Sequence, residues 1–134
     1  MKILLTAGAV LLLAGCSAAP APSATFGLGD QAVAIAQAVR ACRATSAQQP
    51  PATATGIASV ASCTINGSQV DFVVWTDLAA QQAQGPVATA TTEGYVAHGA
   101  GWDAVTHHSG QVSTQKVIAT AIVSFVGGTV VHVP

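Results

Sequence analysis

Charge is what this chain has least of. Asp, Glu, Lys and Arg make up 7% of its 134 residues, against about 25% in an ordinary soluble domain. With four basic residues in all, no stripe of Lys and Arg exists to meet phosphates, which excludes a nucleic-acid partner. There is no polybasic patch for anionic lipid headgroups either, so any membrane attachment has to be apolar. Disorder does not follow from this poverty. It needs low hydrophobicity with high net charge, whereas this chain is 51% hydrophobic at a net charge of −1. Neutral Thr, Ser, Gln and Gly supply the polarity. Such a surface steers little, so a partner is recognised by shape and hydrogen bonding.

Signatures of catalysis and of metal binding are missing too. His98, His107, His108 and His132 form no His-x-x-x-His and no His-Glu-x-x-His, and no Cys/His set has zinc spacing. No metal and no cofactor is expected. Adjacent His107 and His108 point to opposite faces of a strand, and only a hairpin that folds His98 toward His107 would bring two imidazoles together. Asp71, Asp77, Glu93 and Asp103 form no diagnostic carboxylate pair. Asp77 reads as a helix-terminus residue and Asp71 as a solvated residue on an outer sheet face. No Gly-x-Ser-x-Gly is present, and the glycines at 99, 101, 127 and 128 read as turns that open no phosphate loop. The expectation is a protein that is not an enzyme.

What is present begins at the N-terminus. Lys2 supplies a positive start, Ile3 to Ala14 an uncharged run too short to span a bilayer, and Leu13 then leads into the small pair Ala14-Gly15 before Cys16. This pattern resembles the lipobox of a bacterial lipoprotein precursor. The resemblance implies diacylglycerol transfer to the Cys16 sulfur, cleavage before it, and acylation of the new N-terminus, with palmitate-type chains as the only membrane contact. Residues 1–15 are then a signal peptide. Residues 16–29, rich in Pro, Ala, Ser and Gly, are the lipidated cysteine and a tether, and residues 30–134 are a single small domain. The remaining cysteines, Cys42 and Cys63, read as one disulfide in an exported chain.

Within the domain, Asp30 looks like an N-cap and a helix follows from Gln31 to about Ala44, with Ile35, Ala38, Val39 and Cys42 on one apolar stripe. Residues 45–55 read as a polar connection. Asn66-Gly67 between extended segments predicts a tight hairpin. A two-residue turn pairs Ile65 with Ser68, Cys63 with Val70, Ala61 with Phe72 and Ser59 with Val74. That register puts Cys63, Val70, Phe72 and Val74 on one face, and Val60, Ser62, Asp71, Val73 and Trp75 on the other. Cys42 and Cys63 thus both fall on buried faces. A short helix from Leu78 to Gln84 ends at Gly85-Pro86, and residues 87–92 are indeterminate. A second hairpin (Tyr95 to His98, Trp102 to His107) turns around Gly99-Ala100-Gly101. A helix starting at Ser109 or Ser113 and striped by Ile118, Ala121, Ile122 and Phe125 runs to Val126, and Thr129 to Val133 closes as a strand. Val117 to Val133 is apolar but broken by Gly127-Gly128, so it reads as core rather than as a membrane span. The expected fold is α+β in the order α-β-β-α-β-β-α-β, a mainly antiparallel sheet packed on helices with one disulfide.

Trp75 and Trp102 carry two readings, core packing or anchors of an exposed recognition patch. Taken whole, the lipobox, the Pro/Ala tether, Cys42 with Cys63 and the Asn-Gly hairpin running into Trp75 resemble the small secreted lipoproteins of actinobacteria, mycobacterial types especially, and of their phages and prophages. The resemblance implies a membrane-anchored, extracytoplasmic interaction module of the cell envelope, with an envelope or phage protein as partner. Some phage lipoproteins of this size act in superinfection exclusion, blocking phage DNA entry, which is the alternative reading. A small ligand or lipid carrier is a third.

Overall fold

The computed structural model describes residues 25–89, 94–107 and 111–134. Cys16 with the rest of the leader, Glu93, His108 and Ser109 lie outside them. The elements run α1 (Ala32–Ala38), β1 (Arg43–Gln48), β2 (Ile57–Ile65), β3 (Ser68–Trp75), α2 (Leu78–Thr89), β4 (Gly94–Gly99), β5 (Trp102–His107), α3 (Val112–Val126) and β6 (Thr129–Val133). The order is the one the sequence predicts, α+β, with β1 as an additional edge strand. All six strands join in one antiparallel sheet, ordered β1-β2-β3-β5-β4-β6.

The hairpin between β2 and β3 has the expected register throughout, from Ile65↔Ser68 to Ser59↔Val74. Asn66 and Gly67 both take positive φ, 50° and 79°, which is what a two-residue hairpin turn requires of its central residues. A Cβ added at Gly67 would meet nothing within 4 Å, so the glycine is there for its backbone and not for room. Gly67→Ala should therefore cost about 1–2 kcal/mol through left-handed strain alone. Urea denaturation checks this, and an unchanged midpoint would show that the turn relaxes.

One face of the sheet is the core. Ala61, Cys63, Ile65, Val70, Phe72, Val74, Ala97, Trp102 and Ala104 pack there against Ala32, Ile35 and Ala36 of α1, Val39 just after it, and Ile118, Ala119, Ile122 and Val126 of α3. The Cys42–Cys63 disulfide joins the chain after α1 to the middle of β2, with Cα atoms 5.4 Å apart. Gly127 stops α3 at φ 78°. The buried stripe of α3 is rotated from the expected one: Ala119 and Val126 face the sheet, while Ala121 and Phe125 are half-buried. No helix among the described residues is long and apolar enough to cross a membrane.

The first helix differs from expectation at both ends. It stops at Ala38 because the chain turns extended at Val39 (φ −80°, ψ 98°), freeing Arg43–Gln48 to pair with β2. Asp30 does not cap it. Asp30 Oδ2 accepts from Gly27 N at 2.8 Å, and the Ala32 N–H donates to Ser59 Oγ of β2 at 2.9 Å. A hydroxyl from the neighbouring strand thus satisfies a free helical donor. The stretch assigned to the tether also docks before residue 30, with Phe26 packed against the core cluster and Leu28 beside Gly101.

Candidate functional site

The second sheet face carries the polar chemistry. Asp71, Val73 and Trp75 of β3, Asp103, Val105 and His107 of β5, and Val96 and His98 of β4 alternate onto it, opposite α1 and α3. Two histidine–carboxylate pairs sit there with valines between them. In one pair the carboxylate is fully buried and the imidazole half-buried, whereas in the other both members are half-buried.

The pair with the buried carboxylate is built on the second hairpin. Its turn is the two residues Ala100 and Gly101, which sets Gly99 opposite Trp102 and His98 opposite Asp103. Gly99 is required here because the Trp102 ring lies directly across it, where any Cβ would collide. Asp103 is 0% exposed, a costly place for a carboxylate unless donors surround it. His98 Nδ1 lies 2.6 Å from Oδ1, Trp75 Nε1–H donates to Oδ2 at 2.7 Å, and Gln81 Nε2 lies 3.3 Å from Oδ2.

Helix α2 delivers Gln81. Asp77 caps that helix as expected, accepting from Ala80 N at 2.7 Å, and the helix kinks at Gly85 where its first segment was predicted to end. The Gln81 amide is fixed in orientation. Its Oε1 accepts from Gly101 N at 2.8 Å, and its Nε2 donates to Gly99 O at 2.8 Å and approaches Trp102 O at 3.2 Å. Gln81 Nε2 also lies 3.3 Å from His98 Nδ1. Both nitrogens carry hydrogen when Nδ1–H faces the carboxylate, so this last approach is proximity and not a bond.

His98 therefore has one defined tautomer in its neutral form: Nδ1–H points to Asp103, and Nε2 is an acceptor. No described residue bonds to Nε2. The His98 side chain is 35% exposed and opens on a cleft of about 270 Å³ lined by Leu78, Gln81, Gln82, His98 and Ala100.

The second pair lies four residues along β5, about 13 Å away at strand rise. His107 Nε2 is 2.8 Å from Asp71 Oδ2, and Asp71 Oδ1 accepts from Ser62 Oγ at 2.7 Å and Gln69 Nε2 at 3.1 Å. Asp71 is thus a bonded partner and not merely a solvated residue. It borders an apolar cleft of about 170 Å³ with Pro51, Ile57, Val60, Val73, Val105 and His107.

Several expectations change here. Trp75 and Trp102 are each 1% exposed, so neither forms a surface recognition patch. Trp102 fills the helix-side core, and Trp75 spends its N–H on Asp103. His98 and His107 do not converge, because the hairpin register sets His98 beside Asp103. Tyr95 and His132, paired across β4 and β6, meet on the helix side with ring centroids 4.9 Å apart and planes tilted by 49°. Ser113 and Lys116, a Ser-x-x-Lys spacing not singled out above, open α3, but both are exposed and Lys116 Nζ lies 5.5 Å over the Tyr95 ring. Among the described residues no three His, Cys, Asp or Glu side chains gather as a metal set would.

No protein-family model matches the chain, and comparison with curated proteins and with solved structures finds no match to either.

Proposed function

We propose that this chain is a lipid-anchored, extracytoplasmic binding module of a bacterial cell envelope. The Leu13-Ala14-Gly15-Cys16 box carries the reading. The fold supports it in two ways. Cys42 and Cys63 are bridged, as suits an oxidising compartment. The residue that opens a cleft, His98, is held by a buried network rather than by exposed charge. Two or three acyl chains at about 0.8 kcal/mol per buried CH₂ hold such a domain permanently at the membrane. The domain then acts by binding, with an envelope or phage protein as the macromolecular partner. Superinfection exclusion is a special case of that role. A lipid carrier would need an apolar cavity between sheet and helices, where Phe72, Trp102, Ile118 and Ile122 instead meet in one packed cluster.

Metabolic labelling with an alkyne palmitate tests the anchor. The wild-type chain should take the label and sediment with membranes. Cys16→Ala should take none and remain as a longer, uncleaved precursor. A native N-terminus beginning at Met1 without lipid, read by mass spectrometry, would overturn the reading.

A further inference from the structure

We propose that the cleft over His98 is a binding site for a small neutral hydroxylated ligand, a single pyranose ring of the saccharide class, with one hydroxyl donating to His98 Nε2. The inference deepens the binding-module reading and rests on it for biological context only. The site itself is argued from the second sheet face.

The buried network fixes the polarity of the cleft. Asp103 holds Nδ1–H of His98 at 2.6 Å while Trp75 and Gln81 occupy its other oxygen. The ring is consequently locked with Nε2 outward, and the carboxylate behind it strengthens Nε2 as an acceptor. What such an atom receives is an O–H or N–H donor. Gln81 is fully engaged with Gly99, Gly101 and Trp102, so the polar groups left for a ligand are His98 Nε2 and the exposed Gln82 amide.

The lining decides the ligand's charge. None of Leu78, Gln81, Gln82 and Ala100 is ionisable. A phosphate or carboxylate would find no cation there and would approach the Asp103 charge through the imidazole. An ammonium would find no free carboxylate oxygen, since those of Asp103 are buried and Asp77 is turned to Ala80 N and Thr76. Neutral hydroxyls match this lining. Leu78, 47% exposed, and Ala100 give an apolar floor suited to the C–H face of a sugar, so the site mixes apolar contact with a few placed polar groups. Its volume of about 270 Å³ falls below the roughly 300–1,000 Å³ of sites for drug-sized ligands, which suits one ring and not a chain.

The test is a titration of the full chain as its producer makes it, lipidated or not, in detergent micelles, followed by ¹H–¹⁵N spectra of the backbone amides, the histidine rings, the Gln side chains and the Trp indoles. The probes are methyl glucoside, methyl galactoside, methyl mannoside and N-acetylglucosamine, with glucosamine and glucose 6-phosphate as charged arms. At least one neutral probe should give saturable shifts at His98 Nε2, Ala100 and the Gln82 amide, with a dissociation constant of about 1–10 mM. His98→Ala should weaken it about tenfold, the equivalent of one lost hydrogen bond. The Trp75 indole resonance reports whether the network survives that change. Gln82→Ala, outside the network, should weaken binding severalfold with no change in stability.

Absence of saturable shifts for all four neutral probes up to about 100 mM, with the Trp75 resonance in place, would overturn the proposal. So would tighter binding of glucosamine or glucose 6-phosphate than of every neutral probe. Either result leaves palmitate labelling of Cys16 untouched, and a failure of that labelling leaves the cleft untouched, so the two readings fail separately.

Discussion

Asp103→Ala should remove about 3–5 kcal/mol of stability, a large share of the about 5–15 kcal/mol a domain commonly has. The reason is not the loss of an attractive charge in itself. Burying a carboxylate is expensive, and the three donors around Asp103 offset that cost in the folded state. Deleting the acceptor leaves the Trp75 indole N–H and the His98 Nδ1–H without their carboxylate partner. Each stranded donor costs about 1–3 kcal/mol when it stays buried. Gln81 suffers less, because Gly99 O and Trp102 O remain to it. Asp103→Asn separates the terms. An Asn oxygen still accepts from Trp75, and its NH₂ can donate to His98 Nδ1 if the ring moves its proton to Nε2. The expected cost falls to about 1–2 kcal/mol, while His98 Nε2 becomes a donor and the cleft changes polarity. Urea unfolding reads the stabilities, and histidine ¹⁵N spectra read the tautomer. An Asp103→Ala protein within about 1 kcal/mol of wild type would mean that water replaces the carboxylate at little cost, and the network would lose its structural role.

Where local signals existed, the fold was legible in the chain. Asn66-Gly67 set a register that holds across seven pairs, from Ile65↔Ser68 to Ser59↔Val74, before it shifts at Ile57, because only a tight turn with two positive φ residues suits those glycine and asparagine positions. From that register followed the faces of Cys63, Phe72 and Trp75. The strand β1 was not legible. Its burial is almost wholly exposed along its length, so it carries no apolar alternation, and it forms only because the first helix ends early. The His98–Asp103 pair was within reach. Reading Gly99-Ala100-Gly101 as a three-residue loop concealed it, whereas a two-residue turn at Ala100-Gly101 sets His98 opposite Asp103 directly. The Asp71–His107 contact was not within reach. It depends on β3 lying beside β5 rather than β4, a pairing of strands distant in sequence that no short motif encodes. Gln81 was equally hidden, since a glutamine on a short helix looks solvated until the helix is laid against the hairpin.

Reducing the Cys42–Cys63 bond should lower stability by about 3 kcal/mol with little change in the folded structure. The bridge closes a loop with a sequence separation of 21, and in the chain-entropy account such a closure acts mainly by removing freedom from the unfolded chain. The folded side has little to lose. Cys63 is a member of the apolar cluster against the helices and Cys42 packs at its edge, and free thiols behave there as small hydrophobic groups. Packing contacts should therefore survive while the unfolded ensemble gains states. With a slope of about 1–2 kcal/mol per molar urea, the unfolding midpoint should fall by about 2 M in reductant. The double variant Cys42→Ala/Cys63→Ala should fall further, by the sulfur contacts it deletes, and should no longer respond to reductant. The effect matters most for the stretch that the bridge encloses. It holds the polar edge strand β1 and residues 49–56, which have few apolar contacts of their own, so amide exchange in β1 should rise more on reduction than exchange in the β3–β5 centre of the sheet. A midpoint that is the same with and without reductant, in a protein shown by thiol titration to change state, would mean that the loop is already ordered in the unfolded chain.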